Sequence, residues 1–160
     1  MQTTPEADFD TRVRLAIQRA FIDGGPTPSV SRVADAIGAR RDETAGAFDR
    51  LAASHAIVLA PGTREIVMSA PFAGVPTDFA VRVGARSYFA NCVWDALGVP
   101  VMLGGAAGSP VDAEVATTCA ECGEALALRV RAGSVTADPP SAVVHFAVPA
   151  ARWWADIVFT

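Results

Sequence analysis

The sequence contains no lysine: all 13 of its basic residues are arginine. Chemistry that needs a lysine amine is therefore excluded, including Schiff-base formation, PLP attachment and a phosphate-loop lysine. Histidine is nearly absent too. Only His55 and His145 occur, so a three-histidine metal site cannot form. The three cysteines, Cys92, Cys119 and Cys122, are too few and odd in number for a disulfide framework. No apolar run reaches the ~18 residues a membrane span needs. Residues 1–10 are polar and acidic and lack the apolar stretch of a secretory signal, so a cytoplasmic protein is expected. A surplus of positive charge is also missing. The formal net charge is −4, which weighs against tight binding to nucleic acid. What is present is a globular composition, 51% hydrophobic and 19% charged over 160 residues. That suits one domain, or two small ones sharing a core.

The first third reads as helical. Phe9, Val13, Ala16, Ile17, Ala20 and Phe21 recur at three- and four-residue spacing and form one apolar stripe. Asp23-Gly24-Gly25-Pro26 ends that helix. Ser29 or Ser31 caps a second helix that stops at Gly38, and Asp42 caps a third with Phe48 and Leu51 on its core face. Residues 57–59 and 65–68 then flank a Pro61-Gly62 turn as a hairpin. Three helices and a hairpin are the winged-helix order, expected over residues 1–70. Pro71, Gly74 and Pro76 mark residues 71–78 as a linker. In residues 79–160 the pattern predicts a strand at 79–83 and a helix at 87–97, stopped by Gly98 and Pro100. Short strands follow at 101–103, 111–116, 125–130, 134–136 and 142–148, then a short helix after Pro149. The expected class is α+β, with a winged-helix-like part packed on a mixed β-sheet.

The candidate recognition helix carries Asp42, Glu43 and Asp49 beside Arg41 and Arg50, without the basic bias of a groove reader. Cys92 and Asp95 are the sharper feature. Positions i and i+3 share a helix face, so a thiol and a carboxylate stand side by side among Phe89, Val93, Trp94 and Leu97. Apolar surroundings favour a protonated carboxyl that can act as a general acid, while the thiol offers a nucleophile or soft-metal ligand. A buried structural cysteine next to a surface aspartate fits the same spacing. Cys119-Ala120-Glu121-Cys122-Gly123 has the shape of half a zinc site, but no second pair exists and Cys92 and His145 would have to complete it. A thiol-bearing turn is the plainer reading. His145 sits in an apolar run and reads first as a core histidine. His55 reads as a helix C-terminal cap, and Trp153 and Trp154 as packing residues.

Residues 88–100, Tyr-Phe-Ala-Asn-Cys-Val-Trp-Asp-Ala-Leu-Gly-Val-Pro, resemble the catalytic helix of the organomercurial (alkylmercury) lyases. The resemblance continues through the Cys119 turn and Val144-His145-Phe146. It implies protonolytic cleavage of a carbon–mercury bond in mercury detoxification. Cys92 would be the first mercury-capturing cysteine and Asp95 the proton donor, with Cys119 matching a third, structural cysteine. No cofactor is implied. Mercury is part of substrate and product, and small thiols or a mercuric reductase would accept Hg(II). The family's second catalytic cysteine has no counterpart in 139–144, where Ser141 is the nearest residue. The missing sulfur would come from Cys119, Cys122, an external thiol or a selenocysteine beyond Thr160, since the apolar end of the chain reads as a truncation. A thiol-based soft-metal sensor holding its ion with Cys92, Cys119 and Cys122 is the alternative, and a winged-helix regulator the second.

Overall fold

A computed structural model describes residues 4–146, 148–155 and 157. Of the expected apolar end at 157–160, residues 158–160 lie outside the described residues. The chain is α+β, as its pattern predicts. Helix α1 (Pro5–Ile22) opens at Thr4, whose hydroxyl accepts the Ala7 N–H at 3.3 Å. Proline fits the first turn because its missing N–H would have had no helical partner. Helix α2 (Val30–Ile37) is capped by the Ser29 hydroxyl and ends at Gly38, whose φ of 65° suits glycine. Helix α3 (Arg41–Ala53) corrects the expectation for Asp42. The cap is Arg40, without a side-chain bond, and Asp42 lies inside the first turn. There its carboxylate accepts the Glu43 N–H at 2.9 Å and meets the positive end of the helix dipole.

The first sheet joins β1 (Val58–Leu59), β2 (Ile66–Ser69) and β3 (Phe72–Ala73) in that order, all antiparallel. Strand β3 falls within the stretch read as a linker. Its Phe72 is fully buried, so these residues are part of the core. The second sheet contains β4 (Ala80–Val83), β5 (Arg86–Phe89), β6 (Ala113–Thr118), β7 (Ala125–Arg131) and β8 (Ser134–Asp138), in the order β5-β4-β6-β7-β8. Every pair is antiparallel rather than of mixed sense. Strand β5 ends beside the start of β4, and β6 starts beside its end. The intervening segment therefore carries the chain back along the sheet.

That segment is α4 (Val93–Ala107), and it revises two expectations. Residues 86–89 are a strand, because Gly84 (φ 59°) turns the chain back tightly after β4. The helix also runs through Gly98 and Pro100 and absorbs residues 101–103, which were expected as a strand. Val99, Pro100, Leu103 and Gly104 are buried, so packing overrides the breaker residues. One core runs through both halves. Phe21 stacks on Phe72 with ring centroids 5.3 Å apart, and Phe72 meets Tyr88 at 5.8 Å. The Gln18 amide donates to Ser69 Oγ at 3.0 Å and to the Ala70 carbonyl at 3.1 Å, tying α1 to the end of β2.

Two glycines should respond to alanine with opposite signs. A Cβ on Gly74 would strike the carbonyl oxygen of Ile66 and approach Thr27 Cγ2 at 3.1 Å. Gly74→Ala should therefore destabilise the fold by ~1–3 kcal/mol. Gly105 is exposed inside α4 with nothing within 4 Å of a new Cβ. Gly105→Ala should stabilise by ~0.5–1 kcal/mol. Urea unfolding of the two variants beside the parent measures both, and equal shifts would contradict the packing described.

Candidate active site

Cys92 occupies the N-cap of α4 with extended backbone (φ −152°, ψ 179°). Its sulfur accepts the Asp95 N–H at 3.5 Å. The Cys-x-x-Asp spacing is thus half of a capping box with sulfur in place of the usual hydroxyl, rather than two positions inside one helix. The Asp95 carboxylate accepts a 2.7 Å hydrogen bond from the Asn91 amide instead of turning back to the cap. Asn91 Oδ1 is buried without a hydrogen-bond partner among the described residues. Burial raises the Asp95 pKa above the usual carboxylate range, against the lowering effect of the Asn91 bond. Burial also pushes the Cys92 thiol up, opposed by the Asp95 and Trp94 N–H groups and reinforced by the Asp95 charge.

Cys119 lies in the turn between β6 and β7. Its N–H donates to the Glu124 carbonyl at 2.8 Å, and its carbonyl accepts the Gly123 N–H at 2.8 Å. The Cys122 and Glu121 N–H groups and the Cys122 thiol favour its thiolate, so its pKa lies below that of a free thiol. Cys92 and Cys119 line one cavity of about 470 Å³. Thr117 and Leu126, paired across β6 and β7, supply part of its wall. Residues 113, 115, 117 and 119 point to one face by the two-residue period of a strand. The cavity therefore continues the inner face of the sheet past the first turn of α4. Thr117 Oγ1 is buried there with no partner among the described residues.

Aromatic side chains close the other side. Phe146 meets Trp94 edge-on at 6.0 Å and stacks on Trp153 at 5.4 Å. Trp153 donates to the Val148 carbonyl at 3.0 Å. It lines the cavity together with Phe79 and Phe146, so it is more than a packing residue. Trp154 stacks on the His55 ring at 3.9 Å. His55 sits just past α3 in a left-handed conformation, where its N–H bonds the Ala52 carbonyl at 3.0 Å.

The remaining site residues part company. His145 is exposed on the cavity rim, not held in a core strand. The described residues of 142–148 form no strand, because Pro139, Pro140 and Pro149 remove ladder donors at both ends. Ser141 is exposed, and its neighbour Ala142 is the one that lines the cavity. Cys122 is exposed and outside the cavity lining. Among the described residues no group of three or more His, Cys, Asp or Glu is placed to hold a metal ion, so Cys92, Cys119 and Cys122 do not form a ready-made triad. Two arginines at α3 are engaged with carboxylates: Arg50 with Asp10 and Glu6, and Arg64 with Asp49. No described helix is long and apolar enough to cross a membrane.

Sequence reasoning missed Thr117, Leu126, Phe79 and Phe146 as cavity walls. The signal was present for Thr117, two residues before Cys119 on a strand. Phe146 reaches the site only because the segment after β8 folds back over it.

Comparison with known proteins gives a family and a fold. The sequence profile described as alkylmercury lyase matches residues 72–160. No curated protein matches the sequence significantly. Among solved structures, the mercury-bound form of MerB2 is similar, with a TM-score of 0.64 and 23% identity. The similarity covers 82% of this chain and 61% of that one, so this chain spans about three-fifths of its length.

The opposite shifts of the two cavity thiols are open to measurement. Iodoacetamide labelling followed by peptide mass spectrometry should modify Cys119 at lower pH than Cys92. Asp95→Asn should move the Cys92 profile to lower pH, because it removes the charge that opposes the thiolate. An unmoved profile would mean that the carboxylate does not face the sulfur. The same variant should gain stability near neutral pH. The native state holds the Asp95 proton more tightly than the unfolded chain, so stability falls as pH rises from the unfolded to the folded pKa. The gain from asparagine should vanish at pH values below the ordinary carboxylate range, as read by urea midpoints across pH.

Proposed function

The chain belongs to the alkylmercury lyase family, and from that premise we propose that it cleaves the carbon–mercury bond of organomercurials by protonolysis. The observation that carries this reading is the single cavity lined by Cys92 and Cys119, with Asp95 fixed beside Cys92 by the cap of α4. The similar solved structure is of a mercury-bound protein, and this cavity is where the same ligand would sit here.

The chemistry follows from the donor set. Soft thiolates are the preferred ligands of a soft metal. Cys119, whose surrounding N–H groups lower its pKa, is the thiol that gives up its proton more readily. A mercurial R–Hg–X exchanges X for the Cys92 sulfur, and the thiol proton leaves with X. The Cys119 thiolate adds as a second sulfur and weakens the bond from mercury to carbon. That bond then breaks with its electron pair on carbon, which takes the Asp95 proton and departs as the hydrocarbon. Hg(II) remains on the two sulfurs, and Asp95 is left as a carboxylate to be reprotonated from solvent. Burial suits Asp95 to this role, because it raises the pKa of the carboxyl and so favours the protonated form that can donate to carbon. Phe79, Phe146 and Trp153 give the organic group an apolar wall. Hg(II) would pass to a small thiol or to a mercuric reductase in the cytoplasm.

Incubation with phenylmercury acetate and assay of benzene tests the reading. The unmodified protein should release benzene. Asp95→Asn should slow release by ~10²–10⁴-fold while the protein still takes up the mercurial. Cys92→Ser keeps an oxygen cap for α4 and should abolish release. Stoichiometric uptake without benzene from the unmodified protein would replace this reading with a soft-metal binding protein.

A further inference from the structure

We propose that Cys119 and Cys122 form a two-thiolate site for a soft d¹⁰ cation, which takes Hg(II) from the cavity to the protein surface. Both cysteines lie in the one turn between β6 and β7. Cys119 is half-buried and lines the cavity, whereas Cys122 is exposed and does not. The turn is built to hold this arrangement. The last pair of the ladder is Thr118 with Ala125, and the two 2.8 Å bonds from the Cys119 N–H to Glu124 and from the Gly123 N–H to Cys119 close the loop. Gly123 takes φ 74°, which returns the chain to β7.

The number of sulfurs selects the ion. A structural zinc needs four ligands, and the described residues offer no group of three. A soft cation such as Hg(II) is satisfied by two thiolates. The closed turn after the Thr118–Ala125 pair places the two cysteines three residues apart in one tight loop, so both sulfurs are within reach of a single ion.

The transfer balances as a thiol exchange. Hg(II) starts on Cys92 and Cys119. Cys122, its proton given to solvent, forms a bond to mercury as the bond to Cys92 breaks. The Cys92 thiolate then takes up a proton, which its buried position favours. Nothing is oxidised or reduced. Where the ion comes from rests on the lyase reading, but the dithiol site itself does not.

Mercuric chloride titration of Cys92→Ser under reducing conditions tests the site directly. Bound mercury is read by intact-protein mass spectrometry and free thiols by Ellman's reagent after removal of the reductant. One Hg(II) per chain should remove both remaining thiols from reaction. In Cys92→Ser/Cys122→Ser the ion should be lost to a competing monothiol that leaves the first variant loaded. Mercury bound with one thiol still reactive, held only between two chains, or retained equally by both variants would overturn the site. The transfer role is tested with Cys122→Ser alone, in single turnover with phenylmercury acetate. Benzene should appear in that variant while passage of mercury to added glutathione is slowed. Unslowed passage would overturn the transfer role. If no benzene forms in the unmodified protein, the lyase reading and the transfer role built on it fail together, and the titration still decides the dithiol site.

Discussion

Helix α4 begins at a sulfur, and much of the candidate site depends on that start. The Cys92 sulfur accepts the Asp95 N–H, so the thiol and the acid belong to the same helical turn and cannot separate without unwinding it. The bond itself, at 3.5 Å, is a weak one. Its force comes from what stands behind it. Ala96, Val99 and Leu103 bury the next turns of the helix in the core. The core fixes the helix, the helix fixes its first turn, and the first turn fixes Cys92 against Asp95. A residue with no hydrogen-bonding side chain at position 92 would cost the helix its cap as well as the cavity its thiol.

The cavity lies between the first turn of α4, the β6–β7 turn and the segment that follows β8. That geometry sorts the titratable groups. Cys92 and Asp95, on the helix side, are half-buried and hold their protons more tightly than usual. Cys119, on the turn side, receives N–H groups and gives its proton up more readily. Two thiols with similar intrinsic acidity are thereby made unlike by position alone. Under the proposed chemistry this is the required division, a more acidic thiol in the cavity wall and, behind the Cys92 cap, a less acidic carboxyl that is itself outside the cavity lining.

The helices of the first third were legible because their stripes and caps are local. Ser29 and Gly38 bound α2 in the structure as they do in the sequence. The start of α4 was not legible. Residues 86–89 look as helical as the residues after them, and only pairing with β4 makes them a strand. Gly98 and Pro100 carry a strong local stop signal that burial outweighs. The spacing of Cys92 and Asp95 puts the two side by side, as the structure does, although the geometry behind that spacing is a cap rather than a shared helix face. The approach of Cys119 to the cavity follows from β-pairing between segments far from Cys92 in sequence. The aromatic wall was hidden for a related reason. The segment with Phe146 has strand-like composition, and its prolines keep it out of the sheet.

The Gln18 amide, which bridges from α1 to Ser69 and Ala70, bears on how the molecule can be divided. The region matched by the family profile begins at Phe72, yet that ring is stacked on Phe21 from the opposite end of the chain. A fragment starting at residue 72 would keep both cavity thiols and lose the surface that covers Phe72 and Tyr88. The N-terminal helices are therefore not an appendage that can be exchanged or shed. They are the second half of a mould in which the catalytic-looking half is cast, and a graft of this cavity onto another scaffold would have to bring α1 with it.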